Sequence, residues 1–151
     1  MKSISTSLEY PEETLATVFL HDVCEDYDIG FEEIETRFGG KVLQAVQLLT
    51  KKFRGYRKPD TEYYREITGD KIASVTKGAD RIHNIQTMVD VFTYEKQKEY
   101  IQETEEYILP AIKEARRRFP KQEPAYENLR HVLVSQIELL QAVHRALESE
   151  K

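Results

Sequence analysis

The feature that most constrains this chain is a hydrophobic period near 3.6 residues that runs almost from end to end. No run of alternating β-branched residues bounded by two-residue turns interrupts it. Pro11 suits a first helical turn, and Glu12 and Glu13 complement the helix dipole there. Leu15, Val18, Phe19 and Val23 then recur at helical spacing, with Leu20 and Cys24 widening the apolar face. This helix is expected to end near Asp26, before a turn over residues 28–30. A short helix is expected from Phe31 to Arg37, punctuated by Gly39 and Gly40, and another carries Val42, Leu43, Val46 and Leu49. Residues 53–60, with Gly55 and Pro59, read as a loop, and Tyr63, Tyr64 and Ile67 as a brief helix that Gly69 ends. Asp70 is the expected N-cap of a helix whose apolar face holds Ile72, Val75, Ala79, Ile82, Ile85 and Val89. Gly78 inside that helix costs about 1 kcal/mol relative to alanine and marks close packing. A further helix runs from about Tyr94 to Arg118, kinked or broken at Pro110. Pro120 and Pro124 bracket a connector, and Leu129, Val132, Val134 or Leu133, Ile137, Leu140, Val143 and Leu147 mark the last helix.

The fold class that follows is an all-α bundle of six or seven helices, in one domain over residues 1–151. Net charge is −5, with 22 basic against 27 acidic residues, which disfavours a general nucleic-acid coat. No apolar run approaches a membrane span, and the first residues lack the apolar core of a signal peptide. Cys24 is the one cysteine, so neither an internal disulfide nor a multi-cysteine zinc site can form. A cytoplasmic location is the expectation.

Chemistry concentrates in two segments. In His21-Asp22-Val23-Cys24-Glu25-Asp26, helical spacing puts the imidazole and three carboxylates on one broad stripe at the end of an apolar helix. Carboxylates packed this way repel one another unless a proton or a cation intervenes. A nitrogen donor with carboxylate oxygens suits Mn²⁺, Fe²⁺ or Zn²⁺ better than Ca²⁺. An acidic helix end with a solvated histidine is the structural alternative. In the second segment, residues 77–87, Asp80, Asn84 and Thr87 share a face beside the apolar one. Aspartate is a poor helix-interior residue and wants a partner, either a cation ligand role or a salt bridge to a nearby Lys or Arg.

Taken together, the segments resemble the HD-domain phosphohydrolases, and more narrowly the hydrolase domain of RelA/SpoT-type (p)ppGpp enzymes and their small single-domain relatives. The resemblance rests on an ordered set. It comprises His21-Asp22 with Glu25-Asp26, then Glu32-Glu33-Ile34, Phe38-Gly39-Gly40-Lys41-Val42, Leu49-Thr50-Lys51, the Lys77 to Asn84 segment, Lys96-Gln97 and Glu103-Thr104. It covers roughly Pro11 to Leu109. It implies one Mn²⁺ (alternatively Fe²⁺ or Zn²⁺) held by His21, Asp22 and Asp80. It implies Glu25 and Asp26 as the acidic pair that activates water, and Asn84 and Thr87 near the nucleotide sugar and its 3′ phosphates. Lys51 is carried over as a substrate-binding residue by its place in the Thr50-Lys51 match. The implied activity is removal of the 3′ pyrophosphate from (p)ppGpp or hydrolysis of a related nucleotide.

One departure is plain. The family's first metal histidine lies on a helix upstream of the His-Asp pair, whereas residues 1–20 here hold no histidine, and Lys2 is the one basic residue before His21. The alternative expectation is therefore a truncated or degenerate relative that binds nucleotide or a partner with little hydrolysis. A missing helix pair would bare apolar surface, from which a homo-oligomer or marginal stability is expected. Lys51, Lys52, Arg54, Arg57 and Lys58 form the densest basic cluster, read as a solvated loop at Arg54, Arg57 and Lys58. Arg116, Arg117 and Arg118 suit a helix C-terminus, and His131 and His144 read as ordinary amphipathic or surface residues.

Overall fold

The computed structural model describes residues 7–27 and 29–150. Nearly all of them are helical: α1 (Pro11–Leu20), the single turn α2 (Val23–Asp26), α3 (Phe31–Phe38), α4 (Gly40–Leu49), α5 (Asp60–Thr68), α6 (Lys71–Met88), α7 (Tyr94–Glu103), α8 (Leu109–Arg118) and α9 (Glu123–Ser149). The all-α class stands. α6 is the axis of the bundle, because α1, α4, α5, α8 and α9 all pack against it. Its start is fixed as expected, since the Asp70 carboxylate accepts the N–H groups of Ile72 at 2.9 Å and Ala73 at 2.7 Å. Gly78 lies where α9 crosses: a Cβ there would sit 2.9 Å from Leu129 Cδ1 and 3.4 Å from Ile112 Cδ1. The main core gathers Ile67, Ile72, Ile85, Met88, Ile108, Tyr126, Leu129 and Leu133 around this helix. A smaller apolar cluster, Cys24, Ile34, Val42 and Val46, sits under α2 to α4.

The structure departs from the sequence reading in several places. The first helix does not run through to Asp26: it ends at Leu20, turns at His21 and Asp22, and resumes as α2. Its buried positions are Thr14 and Thr17, while Leu15 and Phe19 stay 58% and 77% exposed. The threonines can be buried because each hydroxyl donates to the carbonyl one turn back, on Tyr10 at 2.6 Å and Glu13 at 2.8 Å. Of the turn expected over residues 28–30, Asp28 lies outside the described residues. Residues 53–60 are not all loop. Lys52–Phe53 (β1) pairs antiparallel with Tyr56–Arg57 (β2). The turn between them has positive φ at both Arg54 (49°) and Gly55 (86°), the twist that closes a two-residue hairpin. Phe53 stacks on Phe31 with ring centroids 4.4 Å apart and ties the hairpin to α3.

The helix expected from Tyr94 to Arg118 is interrupted just ahead of Pro110, in line with the expected kink or break, by a five-residue π turn, Thr104–Ile108, that joins α7 to α8. After a 3₁₀ turn over Pro120–Gln122, Pro124 falls in the first turn of α9, where no N–H is needed, so the connector is shorter than expected. His144 is a buried residue, 6% exposed, with Nε2 3.0 Å from Gln97 Oε1 and its ring edge-on to Tyr94. No helix among the described residues is long and apolar enough to cross a membrane.

Two substitutions check this packing by thermal or urea unfolding. Asp70→Ala is expected to cost about 1 kcal/mol by removing the cap. Gly78→Val, which drives a branched side chain into Leu129, is expected to cost about 2 kcal/mol.

Candidate metal and phosphate site

The break between α1 and α2 places His21 and Asp22 in a turn that faces the middle of α6. His21 Nδ1 lies 2.6 Å from the carbonyl oxygen of Val18, which can only accept, so Nδ1 carries a proton and Nε2 points away from its own helix. Nε2 stands 3.0 Å from Asp22 Oδ2 and 3.1 Å from Asp80 Oδ1. One donor atom from each of His21, Asp22 and Asp80 falls within 4.8 Å of the others. Among the described residues this is the one such group of three. The structure thus brings together the three residues expected to hold a metal, from segments 59 positions apart.

This donor set fits a divalent cation. A nitrogen and two carboxylate oxygens converge, and the histidine's other ring nitrogen is pinned by a backbone carbonyl, as metal-ligating imidazoles generally are. The charge balance agrees. The hydrogen bonds that His21 donates to Asp22 and then to Asp80 push it up to about 10, against the lowering effect of burial. Burial alone would raise Asp80, but the bond to His21 and the charge of Lys77 hold it below its ordinary range. The cluster has a surplus of negative charge, and a proton on His21 answers it in the absence of a cation.

Glu25 does not join the cluster. Its Oε1 accepts the backbone N–H of Lys51 and, at 3.2 Å, that of Lys52, which pins the hairpin to α2. Asp26, the last residue of α2, is exposed. Asn84 lies one turn beyond Asp80 and donates Nδ2 to Asp80 Oδ2 at 3.3 Å and to Tyr100 Oη at 3.4 Å. Thr87 is exposed and its hydroxyl bonds back to His83 O at 3.1 Å. His83 is exposed and stands outside the donor group. Lys51 is ion-paired with Asp60 and its ammonium lies 5.3 Å from the ring centroid of Tyr63. Of the remaining basic loop, Lys58 is held by Glu66 at 3.3 Å.

Sequence reasoning did not single out two residues that flank Asp80. Lys77 sits 3.6 Å from Asp80 Oδ2, on the side opposite Asn84 along the helix, and burial lowers its pKa. Arg81 is 2% exposed, pairs with Glu103 and lies 4.0 Å from the ring centroid of Tyr100. Glu103 also accepts the Tyr64 hydroxyl at 2.8 Å. The signal was available in the sequence, as three charged residues within five positions of a largely apolar helix.

No family model matches the chain. It is similar to curated proteins. A probable guanosine-3′,5′-bis(diphosphate) 3′-pyrophosphohydrolase from Synechocystis is 36% identical over 107 residues, which is 66% of this chain and 14% of that protein. The guanosine-3′,5′-bis(diphosphate) 3′-pyrophosphohydrolase of Aquifex aeolicus is 36% identical over 104 residues, 65% of this chain and 15% of that protein. The bifunctional (p)ppGpp synthase/hydrolase SpoT of Escherichia coli is 30% identical over 93 residues, 56% of this chain and 13% of that protein. The chain therefore spans about one seventh of the length of the first two relatives.

The pairing of His21 has a measurable consequence in metal-free protein. Because its folded pKa stands at about 10 against an ordinary 6.5, the stability it contributes is complete below pH 6.5 and is lost as pH rises through about 10. Melting temperature is expected to fall over that window, and to fall less in His21→Gln. Parallel curves for the two proteins would contradict the assigned pairing.

Proposed function

We propose that this chain is a RelA/SpoT-type hydrolase with an HD-domain site, a metal-dependent phosphohydrolase that removes the 3′ pyrophosphate of (p)ppGpp or hydrolyses a related nucleotide. The observation that carries this reading is the convergence of His21, Asp22 and Asp80 on one point, in a chain similar to proteins named for that hydrolysis. His21 Nε2 and one oxygen each of Asp22 and Asp80 would hold Mn²⁺, with Fe²⁺ or Zn²⁺ as alternatives. A divalent cation bound there supplies Lewis acidity to a phosphoryl oxygen and makes water a stronger acid.

The chain's own groups do the rest. In the hydrolysis, a water oxygen bonds to the phosphorus attached at O3′, and the P–O3′ bond breaks. Pyrophosphate leaves, and O3′ takes up a proton. The proton lost by water goes to a carboxylate of the acidic pair. Glu25 is already oriented by the hairpin N–H groups through Oε1, which leaves Oε2 as an acceptor, and Asp26 is the second acceptor on the same turn. Asn84, fixed between Asp80 and Tyr100, would meet the nucleotide sugar and its 3′ phosphates, with Thr87 one turn further along α6. Lys51, which directly precedes the hairpin and pairs with Asp60, would add positive potential for the phosphates.

A second reading has one observation behind it. Among the described residues the donor group holds three protein ligands rather than the four that the family resemblance implies, which suits a protein that binds nucleotide with little turnover. An assay of pyrophosphate release from ppGpp with added Mn²⁺ decides between them. Release that falls to background in Asp80→Ala and Asp22→Ala, with both variants folded, is the expected result. Wild-type protein that binds ppGpp and releases no pyrophosphate would leave the binding reading in its place.

A further inference from the structure

Among the described residues, Lys77 is an ammonium group without a hydrogen-bond acceptor. Its side chain is 17% exposed, and its nearest oxygen, Asp80 Oδ2, lies 3.6 Å away, an ion pair but beyond hydrogen-bonding reach. Its other neighbour is the face of Tyr63, 5.5 Å to the ring centroid. Among the described residues none accepts a hydrogen bond from it. The surrounding cations are provided for: Lys51 has Asp60, Lys58 has Glu66, and Arg81 has Glu103. Arg81 also has unpaired nitrogens, Nε and Nη1, but these are buried and its guanidinium is spread over the Tyr100 ring, so no ligand reaches them.

The two oxygens of Asp80 divide the space. Oδ1 faces His21 and the donor group, whereas Oδ2 faces Asn84 and Lys77. Lys77 therefore lies beside the donor group with free N–H donors. A partly buried ammonium whose one carboxylate neighbour stands beyond hydrogen-bonding reach is better satisfied when a second anion arrives. We infer that Lys77 binds a non-bridging oxygen of the phosphoryl group held at the His21–Asp22–Asp80 site, which makes it a substrate-binding residue and fixes the ligand class as a phosphate ester or pyrophosphate. The inference rests on the phosphohydrolase reading above. An ammonium aimed at a phosphoryl oxygen that gains charge in the transition state acts as an oxyanion donor does, and losing one such donor costs about 10²–10³ in kcat.

The test uses the whole chain, its Mn²⁺ content measured by elemental analysis, and inorganic pyrophosphate as the calorimetric probe. Lys77→Met keeps the apolar stem against Tyr63 and removes the charge, and Lys77→Arg restores the charge. The expected result is unchanged metal content and folding in both variants. Pyrophosphate affinity falls at least tenfold in Lys77→Met and recovers in part in Lys77→Arg, and kcat for ppGpp falls about a hundredfold in Lys77→Met. Three results overturn the inference: pyrophosphate affinity equal in wild type and Lys77→Met, no pyrophosphate binding by wild type, or a loss of Mn²⁺ in Lys77→Met, which would make the lysine a support for Asp80 alone. The hydrolase reading fails separately. Wild type that turns over no ppGpp but binds pyrophosphate in a Lys77-dependent way defeats that reading and upholds the anion site.

Discussion

Asp80 carries a half-buried carboxylate on the helix against which most of the bundle packs, and the rest of the site is arranged around the need to balance it. One of its oxygens is 3.1 Å from the imidazole of His21, and the other is approached by Asn84 and Lys77. Because α6 is clamped by the Asp70 cap at its start and by the Gly78–Leu129 contact along its length, the carboxylate is presented at a fixed height and angle. α1 need only deliver an imidazole to it. His21, at the C-terminal end of α1, does so, with Nδ1–H held by the Val18 carbonyl and Nε2 facing Asp80.

Behind the site lies a second set of charges whose purpose is order. Arg81 is almost wholly inside the protein, and its pair with Glu103, joined by the Tyr64 hydroxyl, connects α5, α6 and α7. A buried pair of this kind contributes little net stability, because desolvation offsets most of the attraction, but it permits few alternative arrangements of the helices that carry it. Tyr100 covers the guanidinium and meets Asn84, so the same contact that orients the helices also sets the amide next to Asp80.

Much of this was legible in the sequence, for local reasons. The Asp70 cap and the close approach at Gly78 are properties of single positions, and the His21–Asp22 and Asp80 segments are dense in polar groups where apolar ones belong. What escaped depends on distant contacts. Burial of Thr14 and Thr17 in place of Leu15 and Phe19 follows from which side of α1 meets α4 and α6, and hydroxyl back-bonding makes either side permissible. The hairpin has two-residue strands, too short for a period to show, and puts an arginine at positive φ. The burial of His144 depends on Gln97, 47 positions away. Glu25 lies close in sequence to His21, yet its partner is the hairpin backbone, a contact that helical spacing does not reveal.

The central claim is that His21, Asp22 and Asp80 form one cation site, and elemental analysis of protein purified without chelator tests it most directly. About one Mn, Fe or Zn per chain in the wild type, absent from Asp80→Ala of unchanged helicity, is the result the account predicts. Wild-type protein free of metal even after incubation with Mn²⁺ would contradict it, and would leave the cluster as a histidine held between two carboxylates.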